Sequence, residues 1–312
     1  MVRREQGDLL RTAPDPDAPG AIHRAAVFGS PVGHSLSPVL HRAAYRALDL
    51  RDWRYERVDV DEAAFRERVA RLDATWRGLS LTMPLKEIAF EVADEVSALA
   101  HAVGSINTLV RRGDGWSADN TDVYGIAEAL RLAGAARVRA AAVVGSGATS
   151  RSVLAALVSL GVTRVTFLVR GELRPATAAY SETLGLDVDA APLGAWPDAD
   201  VIVGTVPTSA YPAPLQPLPS PTGPAVVLDC AYGGGPSPLL AVARSSGYAA
   251  VPGTEMLLHQ AGEQVRLMTG QPAPIDAMRA ALDAALAERG AGGRPDPDRI
   301  GVSQNRVEGA SG

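Results

Sequence analysis

The chain has 312 residues, 46% of them hydrophobic, and a formal net charge of −5 from thirty Lys+Arg against thirty-five Asp+Glu. The apolar fraction supports ordinary cores, and the length favours two domains, because single cores stop growing at roughly 250–300 residues. No dense Lys/Arg run offers a nucleic-acid footprint, and one cysteine allows neither an intrachain disulfide nor a thiolate metal cluster. The five histidines show no paired spacing for a metal. No apolar run nears the roughly 18 residues of a membrane span, and Met1–Leu10 lacks the apolar core of a secretory signal. A cytoplasmic protein working on small molecules, without nucleic acid, membrane or metal, is the expectation.

Turn-forming stretches around Pro14–Gly20 and Gly290–Asp298 read as tails, 1–22 and 289–312. Between them strands and helices alternate. Ala25–Gly29 is a short apolar strand ending in glycine, and Pro38–Leu50 has helical spacing through Leu40, Ala43, Ala44, Ala47 and Leu48. Tyr55–Val60 reads as a strand, Glu62–Leu72 as an amphipathic helix and Leu79–Met83 as a strand. A helical stretch after Pro84 runs through Ala93. Asn107–Arg111 and the helix Val123–Leu132 follow. From Ala140 the strands become continuously apolar: Ala140–Val144, Val165–Val169, Val201–Gly204, Ala225–Asp229 and Ala249–Val251, with a helix at Arg151–Leu160. Uninterrupted apolar strands separated by helices predict a sheet covered on both faces, hence parallel α/β. A terminal helical segment, Thr254–Ala287, closes the ordered chain.

The first of these apolar strands runs into Gly145-Ser-Gly-Ala-Thr149 and then a helix. A tight glycine turn at a helix N-terminus is the geometry that seats a pyrophosphate on free backbone N–H groups. Gly145 makes the turn and Gly147 lets phosphate approach. Ser150 stands where a third glycine is usual. An acid about 20 residues on, at the end of the next strand, bonds the ribose of NAD. Here Arg170 and Arg174 occupy that region and offer guanidinium forks to a 2′-phosphate, so NADP is the expected cofactor, although Glu172 sits close by.

Four clusters fall at the ends of predicted elements in the N-terminal half: Gly33–Pro38, Gly78–Lys86, Ser105–Thr108 and Ala118–Asp122. Each alone has an ordinary structural reading. Ser35 and Ser37 suit helix caps, Asp122 suits a carboxylate opening the next helix, and Lys86 suits the surface. Together, the SxSP, TxPxK, NT and DNTD motifs, the glycine loop and the late Gly253…Met256-Leu-Leu-His-Gln260 stand in the order and spacing of one family. From about Ala25 to Ala287 the chain resembles the shikimate dehydrogenases.

The resemblance implies an N-terminal α/β substrate domain (23–122), a Rossmann-type parallel-sheet NADP domain (123–253), and C-terminal helices (254–288) returning to the first. It implies Lys86 and Asp122 as the catalytic pair, and substrate contacts at Ser35, Ser37, Thr82, Asn107, Tyr232 and Gln260. Cofactor contacts fall on Gly145, Ser146, Gly147, Ala148, Thr149, Arg170, Arg174, Gly253 and Met256. The reaction implied is reversible, NADP-dependent reduction of 3-dehydroshikimate to shikimate, in the route to chorismate and the aromatic amino acids. Many members carry Asn at Ser80 and Val169, and often at Gly204. Ser80, with its shorter side chain, leaves a quinate or aminoshikimate dehydrogenase as the alternative. A non-catalytic NADP-binding sensor is a further one, opposed by the retained Lys86 and Asp122.

Overall fold

The computed structural model describes residues 22–135, 138–223, 225–233 and 235–290. The first half runs β1 (His23–Gly29), α1 (Ser37–Ala47), β2 (Trp53–Asp59), α2 (Glu62–Ala70), β3 (Trp76–Leu81), β4 (Glu95–Val96), α3 (Ala98–Val103), β5 (Thr108–Arg112) and β6 (Gly115–Asp119). These six strands form one mixed sheet in the order β2-β1-β3-β5-β6-β4. β1 is parallel to β2 and β3, whereas β5 is antiparallel to β3 and to β6. After α4 (Asp122–Leu132) come β7 (Ala140–Val144), α5 (Ala148–Ser159), β8 (Arg164–Val169), α6 (Pro175–Thr183), β9 (Asp187–Pro192), β10 (Val201–Gly204), β11 (Val226–Asp229), α7 (Pro238–Ser245) and β12 (Ala249–Pro252). They build a second six-stranded sheet in the order β12-β11-β10-β7-β8-β9, parallel throughout. α8 (Gly253–Thr269) and α9 (Ile275–Gly290) end the described chain.

The apolar strands of the second sheet are uninterrupted because both faces are covered. Ala141, Val143, Val165, Phe167, Val201 and Val203 point into a core with α4 and α5. The residues between them, Ala142, Val144, Leu168 and Ile202, point into the opposite core beneath α7. In the first sheet, Ala25, Val27, Tyr55 and Val110 pack against α1, α8 and α9. Ala26, Phe28, Leu79 and Leu109 face Phe65 and Val69 of α2 on the other side. The chain's last two helices thus complete the core of its first sheet.

Several local expectations change. The helical stretch after Pro84 is a turn followed by a single 3₁₀ segment, Ile88–Glu91. Asp94 draws the chain out of it by accepting the Trp116 N–H at 2.7 Å, which seats β4 at the sheet edge. The strand expected to reach Met83 stops at Leu81, because Thr82 opens that turn. The terminal helical segment is two helices, broken at Gly270 (φ 74°) and the two prolines beyond it. α9 runs to Gly290, two residues into the expected tail; residues 1–21 and 291–312 lie outside the described residues. β4, α3, β6, α6 and β9 carried no apolar period strong enough to predict, and β9 is an edge strand with Asp187, Asp189 and Ala190 exposed.

Two buried features support this arrangement. At Gly125 on α4 an added Cβ would stand 2.7 Å from Met256 O and 2.9 Å from Gln260 N, so α4 and α8 approach closely only because this residue has no side chain. Gly125→Ala is expected to cost about 1–3 kcal/mol through overpacking, read from urea melts. Because α8 then moves away from α4, activity falls with it.

His41 of α1 is fully buried, stacked on Tyr55 with centroids 3.9 Å apart. Its Nε2–H donates to Gln264 Oε1 at 3.3 Å, since that oxygen can only accept. Burial pushes its pKa down from 6.5 to about 3, against a smaller upward pull from Gln264. The unfolded chain therefore takes up this proton near pH 6.5 and the folded one refuses it until far lower. The stabilisation is complete above pH 6.5 and is lost as pH falls towards 3. In His41→Phe the fall in unfolding free energy between pH 6.5 and 4.5 is expected to be shallower by up to ~1.4 kcal/mol per pH unit. Equal slopes in urea melts of the two proteins would show that His41 does not carry this linkage.

Candidate active site

The mixed topology of the first sheet gathers the four N-terminal clusters at one end. β1 and β3 are parallel, so the loop after Gly29, with Ser35 and Ser37, and the turn after Leu81, with Thr82 and Lys86, leave the sheet on the same side. Antiparallel β5 begins where β3 ends, with Ser80 opposite Thr108. β6 ends where β5 begins, with Thr108 opposite Asp119. Asn107 and the Asn120-Thr121-Asp122 turn are thereby adjacent, and α4 starts directly from that turn.

Lys86 Nζ meets Asp122 Oδ2 at 2.5 Å, with the carboxylate side chain only 5% exposed. The other carboxylate oxygen accepts from Asn107 Nδ2 at 2.7 Å. Asn107 Oδ1 in turn accepts from the Thr121 N–H (2.8 Å) and the Thr108 hydroxyl (2.7 Å). Gln260 reaches the cluster from α8, its Oε1 3.4 Å from both Asn107 Nδ2 and Thr121 Oγ1. Lys86 is thus anchored at one donor position and keeps others for a ligand.

Ser35 and Ser37 are buried, and their hydroxyls lie 3.2 Å apart. The N-cap residue of α1, Leu36, has no side-chain bond to the helix, but Ser35 Oγ accepts the N–H of Ser37, the first helical residue, at 3.3 Å. Ser35 thus keeps a capping contact, and Ser37 makes none among the described residues. Tyr232, from the loop after β11, packs its ring towards His34. Burial pushes its phenol up to about 12, while hydrogen bonding from Ser35 pulls the other way.

In the second sheet, Gly145 has φ +97° and an added Cβ there would meet Val206 at 2.7 Å. Gly147 opens α5, and nothing lies within 4 Å of where its Cβ would be, so a phosphate can approach the helix N-terminus. Ser150 explains its departure from glycine: it is wholly buried, accepts the Gly147 N–H at 3.1 Å and lies 2.7 Å from Thr205 Oγ1, tying the loop to the end of β10. A cleft of about 650 Å³ runs from Thr82 and Lys86, along Gly145–Thr149, to Arg170 and Arg174. Neither arginine has an ion-pair partner among the described residues. The open glycine turn and free guanidinium groups fit a phosphorylated dinucleotide.

Of the expected cofactor residues, Gly253 and Met256 stand apart from the cleft lining. Gly253 packs against the backbone after β11, where a Cβ would be 2.5 Å from Cys230 O, and Met256 joins the core under α4. Sequence reasoning passed over a buried relay beside the site. Tyr55 Oη lies 2.5 Å from Ser80 Oγ, and Ser80 donates to Gln264 Oε1 at 2.7 Å. Gln264 Nε2 closes the relay on Thr108 Oγ1 at 3.0 Å. The recurrence of glutamine at 260 and 264, one turn apart on an otherwise apolar helix face, was the available signal.

The chain is similar to known proteins over most of its length. Residues 27–109 match the family model of the shikimate dehydrogenase substrate binding domain, and residues 253–282 that of the shikimate 5'-dehydrogenase C-terminal domain. The NADP(+) shikimate dehydrogenase of Methylobacterium radiotolerans is 39% identical over 77% of this chain and 89% of its own. That of Synechocystis is 32% identical over 86% of this chain and 97% of its own. The crystal structure of Mycobacterium tuberculosis shikimate dehydrogenase, 40% identical, superposes with a TM-score of 0.75 over 84% of this chain and 99% of that one. The Thermus thermophilus enzyme in complex with NADP(H) and shikimate, 32% identical, gives 0.74 over 85% and 100%. With its motifs converging on one site and relatives matched over nearly their whole length, the chain belongs to the shikimate dehydrogenase family.

Proposed function

We propose that this protein catalyses the reversible, NADP-dependent reduction of 3-dehydroshikimate to shikimate. The observation that carries the reading is the Lys86–Asp122 pair, closed at 2.5 Å at the mouth of the glycine-loop cleft. When bound, NADP supplies or takes up the hydride. The chain holds the reactants and moves a proton. In the reductive direction the ketone oxygen gains negative charge, and Lys86 Nζ donates a proton to it; in oxidation Lys86 takes that proton back. Asp122 positions Lys86, and Asn107 fixes Asp122 by occupying its other oxygen. Ser35, Ser37, Thr82, Asn107, Tyr232 and Gln260 bond the hydroxyls and carboxylate of the substrate.

Gly145, Ser146, Gly147, Ala148 and Thr149 hold the pyrophosphate, and Arg170 and Arg174 the 2′-phosphate. Gly253 and Met256 contribute to the cofactor side through the first turn of α8. In this reading residues 23–122 with 254–288 form the substrate domain and 123–253 the NADP domain. The protein then serves the chorismate route to the aromatic amino acids, in the cytoplasm. Among the described residues, no helix is long and apolar enough to cross a membrane.

Steady-state rates with shikimate and with quinate, each with NADP and with NAD, test the reading; shikimate with NADP is expected to be the best pair. Lys86→Ala should lower kcat by about 10²-fold or more while the folded circular dichroism spectrum and substrate binding persist. A kcat near wild type would remove Lys86 from the proton transfer.

The cofactor assignment has its own test. A guanidinium–phosphate bond is worth about 1.5–3 kcal/mol, so Arg170→Ala should raise KM for NADP about tenfold and leave KM for NAD nearly unchanged. An equal rise for both cofactors would show that Arg170 does not read the 2′-phosphate.

A further inference from the structure

The loop that carries Ser35 and Ser37 is gripped by cations at two successive carbonyls. Arg57 of β2 donates Nε–H to Ser35 O at 2.9 Å. Arg289, near the end of α9, donates from both terminal nitrogens to His34 O at 3.2 Å. Arg42 of α1 stands beside them, bonded through Nε to Tyr55 O at 2.9 Å. Two guanidinium groups, from β2 and α9, therefore hold one short loop, and a third, from α1, adds its charge near Arg57.

None of the three has an ion-pair partner among the described residues, whereas Arg24, Arg51, Arg71, Arg131, Arg151, Arg266 and Arg279 all do. The two acids of β2 are turned to other work: Glu56 pairs with Arg24, and Asp59 accepts from Ser30 Oγ and the Val32 N–H. Partial burial and then repulsion from Arg42 and Arg289 hold the Arg57 guanidinium below its ordinary value, and no carboxylate offsets them. Arg57 and Arg289 both pull the Tyr232 phenol downward, against the rise that burial causes, so their charge reaches this side of the site. A group of like charges without a counter-ion is unfavourable in the empty protein and favourable once an anion arrives.

The remainder of the site supplies no net charge to meet such an anion. Lys86 and Asp122 cancel each other as an ion pair, and His41 is neutral at ordinary pH. Shikimate carries its carboxylate on a ring carbon two bonds along the ring from the carbon that reacts. In the proposed reading the reacting carbon is held at Lys86 and Ser35 and Ser37 bond the far side of the substrate, so the carboxylate is taken up at the serine loop.

We propose that Arg57, with Arg289 and Arg42 beside it, is the countercharge for the substrate carboxylate and makes the enzyme select an acid over an uncharged analogue. The inference rests on the proposed reaction and extends it to a positioning residue that works through the Ser35 loop and its field.

The experiment measures kcat and KM for shikimate and for its uncharged methyl ester, with saturating NADP, in wild type, Arg57→Gln and Arg57→Lys. Arg57→Gln is expected to raise KM for shikimate about fivefold or more at low salt, with kcat little changed, because it removes a charge from a partly screened site. KM for the ester should stay as in wild type, so the preference for acid over ester falls by the same factor. Arg57→Lys should keep most of the preference, and added salt should erode it in wild type more than in Arg57→Gln. An equal rise for acid and ester would mean that Arg57 only shapes the loop, and an unchanged KM for shikimate would mean that it supplies no countercharge; either overturns the proposal while leaving the reaction itself in place. A wild type that does not turn over shikimate overturns both.

Discussion

The carboxamide of Asn107 is engaged at both its oxygen and its nitrogen. Asn107 is 1% exposed, and its carboxamide joins Asp122, Thr121 and Thr108, three residues at the meeting of β5, β6 and α4. Burial without such partners would cost about 1–3 kcal/mol for each orphaned group, so the network holds only in this one arrangement. Once Asn107 is seated, one oxygen of Asp122 is occupied and the other is left facing Lys86. The position of the Lys86–Asp122 pair is therefore a consequence of how an antiparallel hairpin is inserted into an otherwise parallel sheet.

The second constraint joins the two halves. Arg151 lies on α5, just behind the glycine turn, and is 4% exposed. Its Nε donates to Val103 O at 2.6 Å, and Nη2 reaches Gly104 O at 3.0 Å and Glu87 Oε1 at 2.7 Å. Glu87 follows Lys86 directly, and Val103 and Gly104 lie a few residues before Asn107. A charge-assisted bond of this kind contributes about 1.5–3 kcal/mol, and here it ties α5, behind the glycine turn, to the turn that carries Lys86. α8 adds a second tie, crossing from the edge of the parallel sheet to the face of the mixed one, with Gly125 providing the room.

Much of this was legible before any coordinates. The apolar strands after Ala140 could be assigned because both faces of the second sheet are buried, and the glycine turn because its residues are restricted by φ and by close backbone approach. The first sheet was harder. β4 has two residues and β6 alternates over only five, with just Trp116 and Ala118 as apolar positions, so neither is long enough to read as a period, and the stretch after Pro84 has helical composition yet is turned out of helix by Asp94 and Trp116. The relay from Tyr55 through Ser80 to Gln264 spans three elements and leaves no local pattern. The same is true of Arg42, Arg57 and Arg289, which are ordinary surface arginines in sequence and become a group only when β2, α1 and α9 meet.

By itself, the sequence determined the chemistry available and its order along the chain: a lysine after a proline turn, an aspartate opening a helix, serines before Pro38, and glycines ahead of α5. These are local properties, dictated by backbone conformation and side-chain type over a few residues. Tertiary structure alone decided which of them meet. Residues 86, 107, 122 and 260 come together because β5 runs antiparallel to β3 and because α8 returns to the first sheet. Strand direction and helix return are settled by the burial of whole faces and by the satisfaction of groups such as Asn107, and no short stretch of sequence contains either.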